Sequence, residues 1–336
     1  MTQQIFNVPR LSLQCGTSVA NVRLSFECHG SLCAAKDNVV LVFTPFGTTS
    51  SQCGYLFGNG RPIDPAKHFI VVFDTFGNGA SFSPSNAPAP YGRDQFPEVT
   101  ILDNVVAQHI FVTEVLGVRE IQLAVGHSMG ALQAYQWAAS FPGMVRRLAP
   151  ICGAARVSEH NALFLDGIRR VITEDPDWNH GRYTAPPARA LRRAARVWAP
   201  WAPSPGFYQG RGYLQLGFES LEAFLVGLWE RNFERRDAND ILAQIWAWQH
   251  ADISRNGIYE GDFEKALGSI EARAVILPGI SDCYFPVADS AYEASHLRRA
   301  TLLPIPSPWG HWAGNGRRPE DLRFVDDALR QLWLMP

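Results

Sequence analysis

Residues 121–130 read IQLAVGHSMG, a short apolar run that leads directly into a G-x-S-x-G motif. The apolar run, residues 121–125, is typical of a buried strand, and residues 129–140 favour a helix. Between a strand and a helix, the serine of this motif lies on a sharp, strained turn that lifts its hydroxyl above the sheet edge. The two glycines leave room for the close packing of the turn. The stretch therefore predicts that Ser128 is a nucleophile.

The base that activates this serine is expected among the histidines that follow it in the chain. A serine hydroxyl is a weak nucleophile near neutral pH and needs a base. In folds that present a serine on such a strand–turn–helix, the acid and then the histidine follow the serine along the chain. His311 lies in a loop just after a strand expected at residues 301–303, and loops beyond strand ends build such sites. His296, the alternative, falls in a segment of helical character. We therefore expect His311 to be the base.

The acid that orients this base is expected in the loop after the strand predicted at residues 274–277. Asp282 lies in that loop, whereas the alternative, Asp289, falls in the helix that follows. A carboxylate beside the histidine holds its tautomer and stabilises the imidazolium that forms during catalysis. The sequence thus predicts a triad of Ser128, Asp282 and His311.

Backbone N–H groups are expected to stabilise the oxyanion that develops during attack. One donor should be Met129, the residue after the nucleophile. The second should come from the loop after the strand predicted at residues 39–43, at Phe46, with Gly47 as the alternative. His127, beside the nucleophile, is expected to pack at the turn rather than to catalyse.

The order of predicted elements indicates an α/β sheet covered by helices and interrupted by a helical insertion. Residues 39–43 and 69–73 are continuous apolar runs rich in β-branched residues, which suit strands buried on both faces of a mostly parallel sheet. Strand–helix alternation is lost after about residue 155 and returns near residue 274. We therefore expect a core in two parts, residues 1–155 and 269–336, and a helical lid at 156–268.

The predicted lid is rich in tryptophan and arginine. It carries six of the ten tryptophans, at positions 178, 198, 201, 229, 246 and 248, which either form an apolar pocket wall or pack in a core. Residues 189–198 predict a helix with Arg189, Arg193 and Arg196 on one face. That face is either solvated or in contact with anionic groups such as a coenzyme's phosphates.

Composition argues against several classes of partner. The chain has 336 residues, 46% of them apolar, and a net charge of −2, which does not favour binding to nucleic acid. No run reaches the ~18 uninterrupted apolar residues of a membrane span, and the first residues lack a signal pattern. Six cysteines are too sparse for a disulfide framework, and no Cys/His pairs complete a zinc site. We expect a cytoplasmic protein with no nucleic-acid or membrane partner and no metal.

Motifs spread over most of the chain resemble the homoserine O-acetyltransferase branch of the α/β-hydrolase superfamily. They are GRPID at 60–64, YG at 91–92, FP at 96–97, TILD at 100–103, SMG at 128–130 with Gln133 and WA at 137–138, SD at 281–282 with FP at 285–286, and GH at 310–311. The resemblance implies a Ser-Asp-His triad, a helical lid, and acyl transfer from an acyl-CoA to an amino-acid hydroxyl. It also implies a homodimer.

Two departures from that branch favour hydrolysis over transfer. Transferases of this branch usually carry Gly-Gly before the serine, where this chain has Gly126 and His127. They also carry a Gly-Gly-Cys-x-Gly-Ser-Thr-Gly-Pro loop, where this chain reads FGNGASFSPSN at residues 76–86. We therefore expect a hydrolase of a small ester, thioester or amide that works through an acyl-Ser128 intermediate and needs no cofactor. The alternative is an O-acyltransferase with acyl-CoA as co-substrate, and a remote one is a binding protein without catalysis.

Overall fold

The computed structural model describes residues 3–335, and a single eight-stranded sheet runs through it. The strands are β1 (Gln4–Ser12), β2 (Ser18–His29), β3 (Val39–Phe43), β4 (Phe69–Phe73), β5 (Leu123–His127), β6 (Arg147–Ile151), β7 (Arg273–Ile276) and β8 (Ala300–Leu302). Their order across the sheet is β1-β2-β4-β3-β5-β6-β7-β8. The six strands β4-β3-β5-β6-β7-β8 pair in parallel, whereas the pairs β1–β2 and β2–β4 are antiparallel.

Twelve α-helices lie within the described part of the chain. They are α1 (Ile101–Ile110), α2 (Met129–Ser140), α3 (Glu159–Thr173), α4 (Ala188–Trp198), α5 (Pro205–Gln209), α6 (Gly212–Gln215), α7 (Leu221–Phe224), α8 (Arg231–Glu234), α9 (Ala238–Gln249), α10 (Phe263–Ser269), α11 (Val287–His296) and α12 (Pro319–Leu334). Between residues 3 and 335, no helix combines the length and the apolar character needed to cross a membrane.

Helices cover both faces of the sheet because its central strands are apolar on both sides. In β3, Val39, Leu41 and Phe43 join a core formed with α1, α2 and α10, while Val40 and Val42 join a core formed with α12. All five of these residues are fully buried. The predicted α/β class, a mostly parallel sheet flanked by helices, is confirmed.

The first two strands were not apparent from the sequence. β1 and β2 form a hairpin at the sheet edge, and most residues of β1 are exposed or half-buried. An edge hairpin needs no continuous apolar run, so its pattern is much weaker than that of a buried parallel strand. The strand before the nucleophile also lies two residues later than expected, because Gly126 and His127 pair with β3 and β6.

Helices α3–α9 have a hydrophobic core of their own, which closes against the sheet's helices and loops. Trp198, Trp248 and Phe233 are buried in it, together with Met129 from α2 and Tyr284 from the loop after β7. α10 packs instead with the main core, beside α2 and α11. The core of α3–α9 thus includes residues at the start of α2 and after β7, where the predicted nucleophile and acid also lie.

A buried carboxyl group ties α11 to the segment that follows β6. Glu293 is 2% exposed, and its Oε1 accepts a hydrogen bond of 2.7 Å from the Ala155 N–H. Burial raises the pKa of Glu293 to about 8, and the nearby Asp289 carboxyl adds to that rise. The group is therefore protonated in the folded protein at neutral pH, whereas the unfolded chain ionises it near its ordinary pKa of about 4.3.

We expect this difference to make the protein lose stability as the pH rises from about 5 to about 8. Over that range the unfolded state releases the Glu293 proton and the folded state keeps it, so the loss is on the order of a few kcal/mol. Glu293→Gln should flatten the pH dependence of the unfolding free energy, measured with urea, and the exposed control Glu219→Gln should not. An equal pH slope in wild type and Glu293→Gln would contradict this account.

Candidate active site

Ser128 lies on a strained turn between β5 and α2. Its backbone angles are φ 58° and ψ −124°, a sparsely populated region for any residue with a side chain. A Cβ on Gly126 would lie 2.3 Å from the Gly130 carbonyl carbon, and a Cβ on Gly130 would lie 2.2 Å from the Phe43 oxygen. Both positions of the motif therefore require glycine, as the sequence pattern predicted.

The structure brings the three predicted triad residues together. The Ser128 Oγ lies 2.8 Å from His311 Nε2, and His311 Nδ1 lies 2.8 Å from Asp282 Oδ2. Because the carboxylate can only accept, the imidazole donates its Nδ1–H to Asp282 and accepts the serine proton at Nε2. The alternatives lie elsewhere, since Asp289 is on α11 and His296 is 3.5 Å from Glu264.

The acid is oriented by its own loop. Asp282 Oδ1 accepts hydrogen bonds from the N–H groups of Tyr284, at 2.8 Å, and Phe285, at 3.2 Å. The Asp282 side chain is fully buried. One oxygen is thus held by the backbone while the other faces His311, which fixes the direction of the carboxylate.

Backbone contacts hold the histidine loop from two sides. The His311 N–H donates to the Ala202 carbonyl, in the segment between α4 and α5, at 2.8 Å. His127 Nε2 lies 3.0 Å from the His311 carbonyl, which can only accept, so His127 is the donor. Burial lowers the pKa of His127 well below its ordinary value, so this ring stays neutral. His127 therefore supports the base by a hydrogen bond, in addition to the packing that the sequence indicated.

The hydrogen bonds of the structure favour one of the two residues considered as the second oxyanion donor. The Gly47 N–H donates to Gln244 Oε1 at 2.8 Å, whereas the Phe46 N–H makes no hydrogen bond within residues 3–335. Met129 is the first residue of α2, so its N–H has no acceptor inside the helix. Phe46 and Met129 thus retain N–H groups that could meet an oxyanion beside Ser128.

Residues of the helical region clamp the loop that carries Phe46. Gln244 of α9 is 2% exposed and binds the Gly47 N–H as described above. The Phe46 ring stacks on Trp198 of α4 with 4.8 Å between ring centres, and the Arg236 guanidinium lies 5.2 Å from the Phe46 ring centre. The direction of the Phe46 N–H therefore depends on side chains that come from α4 to α9.

A cavity of about 400 Å³ opens beside Ser128 and His311. Three of the six tryptophans of the predicted lid, Trp198, Trp229 and Trp248, line it and are also buried in the α3–α9 core. Both suggested roles of the tryptophans, pocket wall and core packing, thus apply to the same side chains. Among residues 3–335, no group of three or more His, Cys, Asp or Glu side chains is arranged to hold a metal ion.

The arginines of α4 do not join this cavity. Arg189 and Arg193 lie 3.1 and 3.4 Å from Asp175, and Arg192 lies 2.6 Å from Glu234. The remaining arginine of this helix, at position 196, is likewise paired with two glutamates. The alternative that this face meets a coenzyme's phosphates thus gains no support, because nearby carboxylates already pair with its guanidinium groups.

Three contributors to the site were missed from the sequence: Gln244, Arg236 and Ala202. Each acts from the helical region on a loop that is remote in the chain. No local motif marks them, since a glutamine, an arginine and a backbone carbonyl occur in any helical segment. Only the packing of α3–α9 against the core reveals them.

Replacing Gln244 with alanine should lower kcat more than it changes KM. The Gly47 N–H would lose its acceptor and the Phe46 N–H its fixed direction, so we expect kcat on a small acetyl ester to fall about tenfold. A trifluoromethyl ketone, which forms a tetrahedral adduct, should bind more weakly to the same degree. The control is Gln249→Ala, on the same helix, whose amide binds the Ala162 carbonyl instead. Unchanged kcat and ketone affinity in Gln244→Ala would disprove the positioning role.

Known proteins share this architecture. A family model described as the alpha/beta hydrolase fold matches residues 39–314. The chain is 37% identical over 336 residues to the ethyl acetate hydrolase of Pseudomonas veronii, covering 99% of this chain and 96% of that protein. The crystal structure of an acetylester hydrolase from Corynebacterium glutamicum superposes with a TM-score of 0.96 at 32% identity, covering 99% of this chain and 96% of that one.

Transferases are also among the relatives. The homoserine O-acetyltransferase of Symbiobacterium thermophilum is 30% identical over 340 residues, covering 90% of this chain and 87% of that protein. The resemblance predicted from the motifs and the predicted enzyme class, a hydrolase or acyltransferase of the α/β-hydrolase fold, are thereby confirmed. The chain belongs to the alpha/beta hydrolase fold family.

Proposed function

We propose that the protein hydrolyses small esters in two steps, through an acyl group carried on Ser128. The observation that supports this most strongly is the continuous hydrogen-bond chain from Ser128 Oγ through His311 to Asp282. Its serine end opens on the cavity, while its acid end is buried. Such an arrangement can deprotonate the hydroxyl as it attacks and return the proton to a leaving group.

In the first step, Ser128 Oγ attacks the ester's carbonyl carbon while His311 Nε2 takes the hydroxyl proton. Asp282 stabilises the imidazolium through Nδ1–H, and the N–H groups of Met129 and Phe46 stabilise the oxyanion. Collapse of the tetrahedral intermediate breaks the ester C–O bond. The alcohol leaves with the proton from His311, and the acyl group remains on Ser128.

In the second step, water replaces the alcohol. His311 takes a proton from the water as its oxygen attacks the acyl carbon, and the same N–H groups meet the second oxyanion. Collapse returns the proton to Ser128 Oγ and releases the carboxylic acid. No metal or organic cofactor enters either step.

The names of the relatives support water over another acceptor. Two relatives that share 37% and 32% identity over nearly the whole chain are called an ethyl acetate hydrolase and an acetylester hydrolase. The homoserine O-acetyltransferase of Symbiobacterium thermophilum shares a lower identity, 30%. A transferase with acyl-CoA as co-substrate uses the same acyl-enzyme and differs in which nucleophile reaches it.

We further propose that α3–α9 act as the lid of this site, so that the lid expected at residues 156–268 ends before α10, which packs with the main core. The contacts of Gln244 with Gly47 and of Ala202 with His311 support that role. A cytoplasmic location agrees with six cysteines that are all free thiols. The family resemblance supports a homodimer as the assembled form.

Ser128→Ala should abolish the hydrolysis of ethyl acetate, with kcat at least about a thousandfold lower. Acid release measured at constant pH reports the rate, and circular dichroism checks that the variant is folded. Ser295→Ala, which changes an exposed serine of α11, is the matched control and should keep wild-type turnover. Turnover like that of wild type in Ser128→Ala would disprove the proposed nucleophile.

The acceptor of the acyl group can be identified by measuring thiol release from acetyl-CoA and from succinyl-CoA, each with and without L-homoserine. Hydrolysis predicts that any thiol release is independent of the amino acid and yields only the free acid by mass spectrometry. Thiol release that requires homoserine, with an O-acyl product, would replace the hydrolase by the transferase.

A further inference from the structure

The cavity beside Ser128 has a surplus of hydrogen-bond donors. Arg236 and Arg317 line it, and none of its lining residues is Asp or Glu. Protein interiors pair nearly all buried donors, and a buried charge is normally compensated by an opposite charge. Arg317 is exposed and Arg236 is half-buried, but several buried donors on this lining have no partner among the described residues, and one of them is Nη1 of the Arg236 guanidinium.

Arg236 is the clearest case. Its Nη2 donates to Asn232 Oδ1 at 2.6 Å, but its Nη1 is shut off from solvent and has no acceptor among residues 3–335. The guanidinium lies against Gly47, where a Cβ would be only 1.8 Å from Nη1. Burial lowers the pKa of Arg236 to about 10, so the group stays charged at neutral pH. A charged donor whose Nη1 is shut off from solvent thus lies next to the loop that carries Phe46.

Other donors in the same cavity have no protein partner either. The indole Nε1 atoms of Trp229 and Trp248 and the phenol oxygen of Tyr55 are buried and unbonded within the described residues. Arg317 lies on the same wall, with its guanidinium 4.6 Å from the ring centre of Trp312. These groups, other than the phenol oxygen, can only donate. Their side chains line the cavity, so its wall carries several donors and no Asp or Glu carboxylate.

We propose that the cavity selects esters that carry a carboxylate, and that the Arg236 guanidinium binds this carboxylate. This inference rests on the proposed function, because it names a substrate class for the Ser128 site. A carboxylate accepts charge-assisted hydrogen bonds from a guanidinium and offsets its charge. A neutral ester leaves that charge uncompensated, so we expect it to react with a lower kcat/KM than an anionic ester of the same shape. The cavity, at about 400 Å³, has room for such a chain beyond a short acyl group.

The test compares each anionic ester with a neutral ester of the same shape. Monoethyl succinate, with the charge on the acyl side, is paired with ethyl levulinate, in which a methyl ketone replaces the carboxylate. 3-Acetoxypropanoate, with the charge on the alcohol side, is paired with 3-oxobutyl acetate. Wild type should show a higher kcat/KM on the anionic member of at least one pair. In Arg236→Met that anionic-to-neutral ratio should fall about 10- to 100-fold.

Matched variants separate charge recognition from damage to the fold. Arg236→Lys keeps the charge without the planar fork and should restore part of the ratio. Arg231→Met, an exposed arginine of α8 outside the cavity, should keep the wild-type ratio. No anionic preference in either pair, or a ratio that Arg236→Met leaves unchanged, would overturn the proposal.

A binding measurement keeps this test independent of catalysis. Trp229 and Trp248 line the cavity, so their fluorescence should report monoethyl succinate added to the Ser128→Ala variant. We expect saturable binding that weakens about 10- to 100-fold when Arg236→Met is added. Equal binding with and without Arg236 would refute the anion site. Continued ester turnover by Ser128→Ala would refute the proposed nucleophile instead.

Discussion

The strained backbone of Ser128 is the constraint on which the rest of the site depends. Its positive φ is held by the pairing of β5 with β3 and β6 and by glycines at positions 126 and 130, where no Cβ fits. This turn presents Oγ to His311 and starts α2 at Met129, so one local conformation aims both the proposed nucleophile and one proposed oxyanion donor. The buried parallel strands β3 and β5 offset the cost of this strain.

The helices α3–α9 and the segments between them hold the loops that carry Phe46 and His311 at the end of the sheet. Gln244 takes the Gly47 N–H and so leaves the Phe46 N–H for an oxyanion, while the Ala202 carbonyl holds the loop of His311. These contacts tie both catalytic loops to the same helical region. Positioning of this kind can account for a large part of a rate enhancement, because the groups are oriented before the substrate arrives. We therefore regard the proposed lid as part of the proposed catalytic machinery as well as a cover.

The sequence allowed prediction of the parts that local patterns determine. Ser128 is marked by a motif between a strand and a helix, and Asp282 and His311 follow strands that are continuous apolar runs, so their approximate places could be inferred. The edge hairpin β1–β2 lacks such a run, and its exposed residues hide the strand pattern. Gln244 and Arg236 could not be found because their roles arise from contacts with residues almost two hundred positions away.

The central claim is a covalent acyl group on Ser128, and acid quenching during turnover tests it most directly. The protein would be mixed with 4-nitrophenyl acetate, an activated acetyl ester, quenched within milliseconds, digested and analysed by mass spectrometry. The account predicts one acetyl group on the peptide that contains Ser128, and its loss when the ester is exhausted. Steady turnover with no acetylated peptide, or with the acetyl group on another residue, would contradict it.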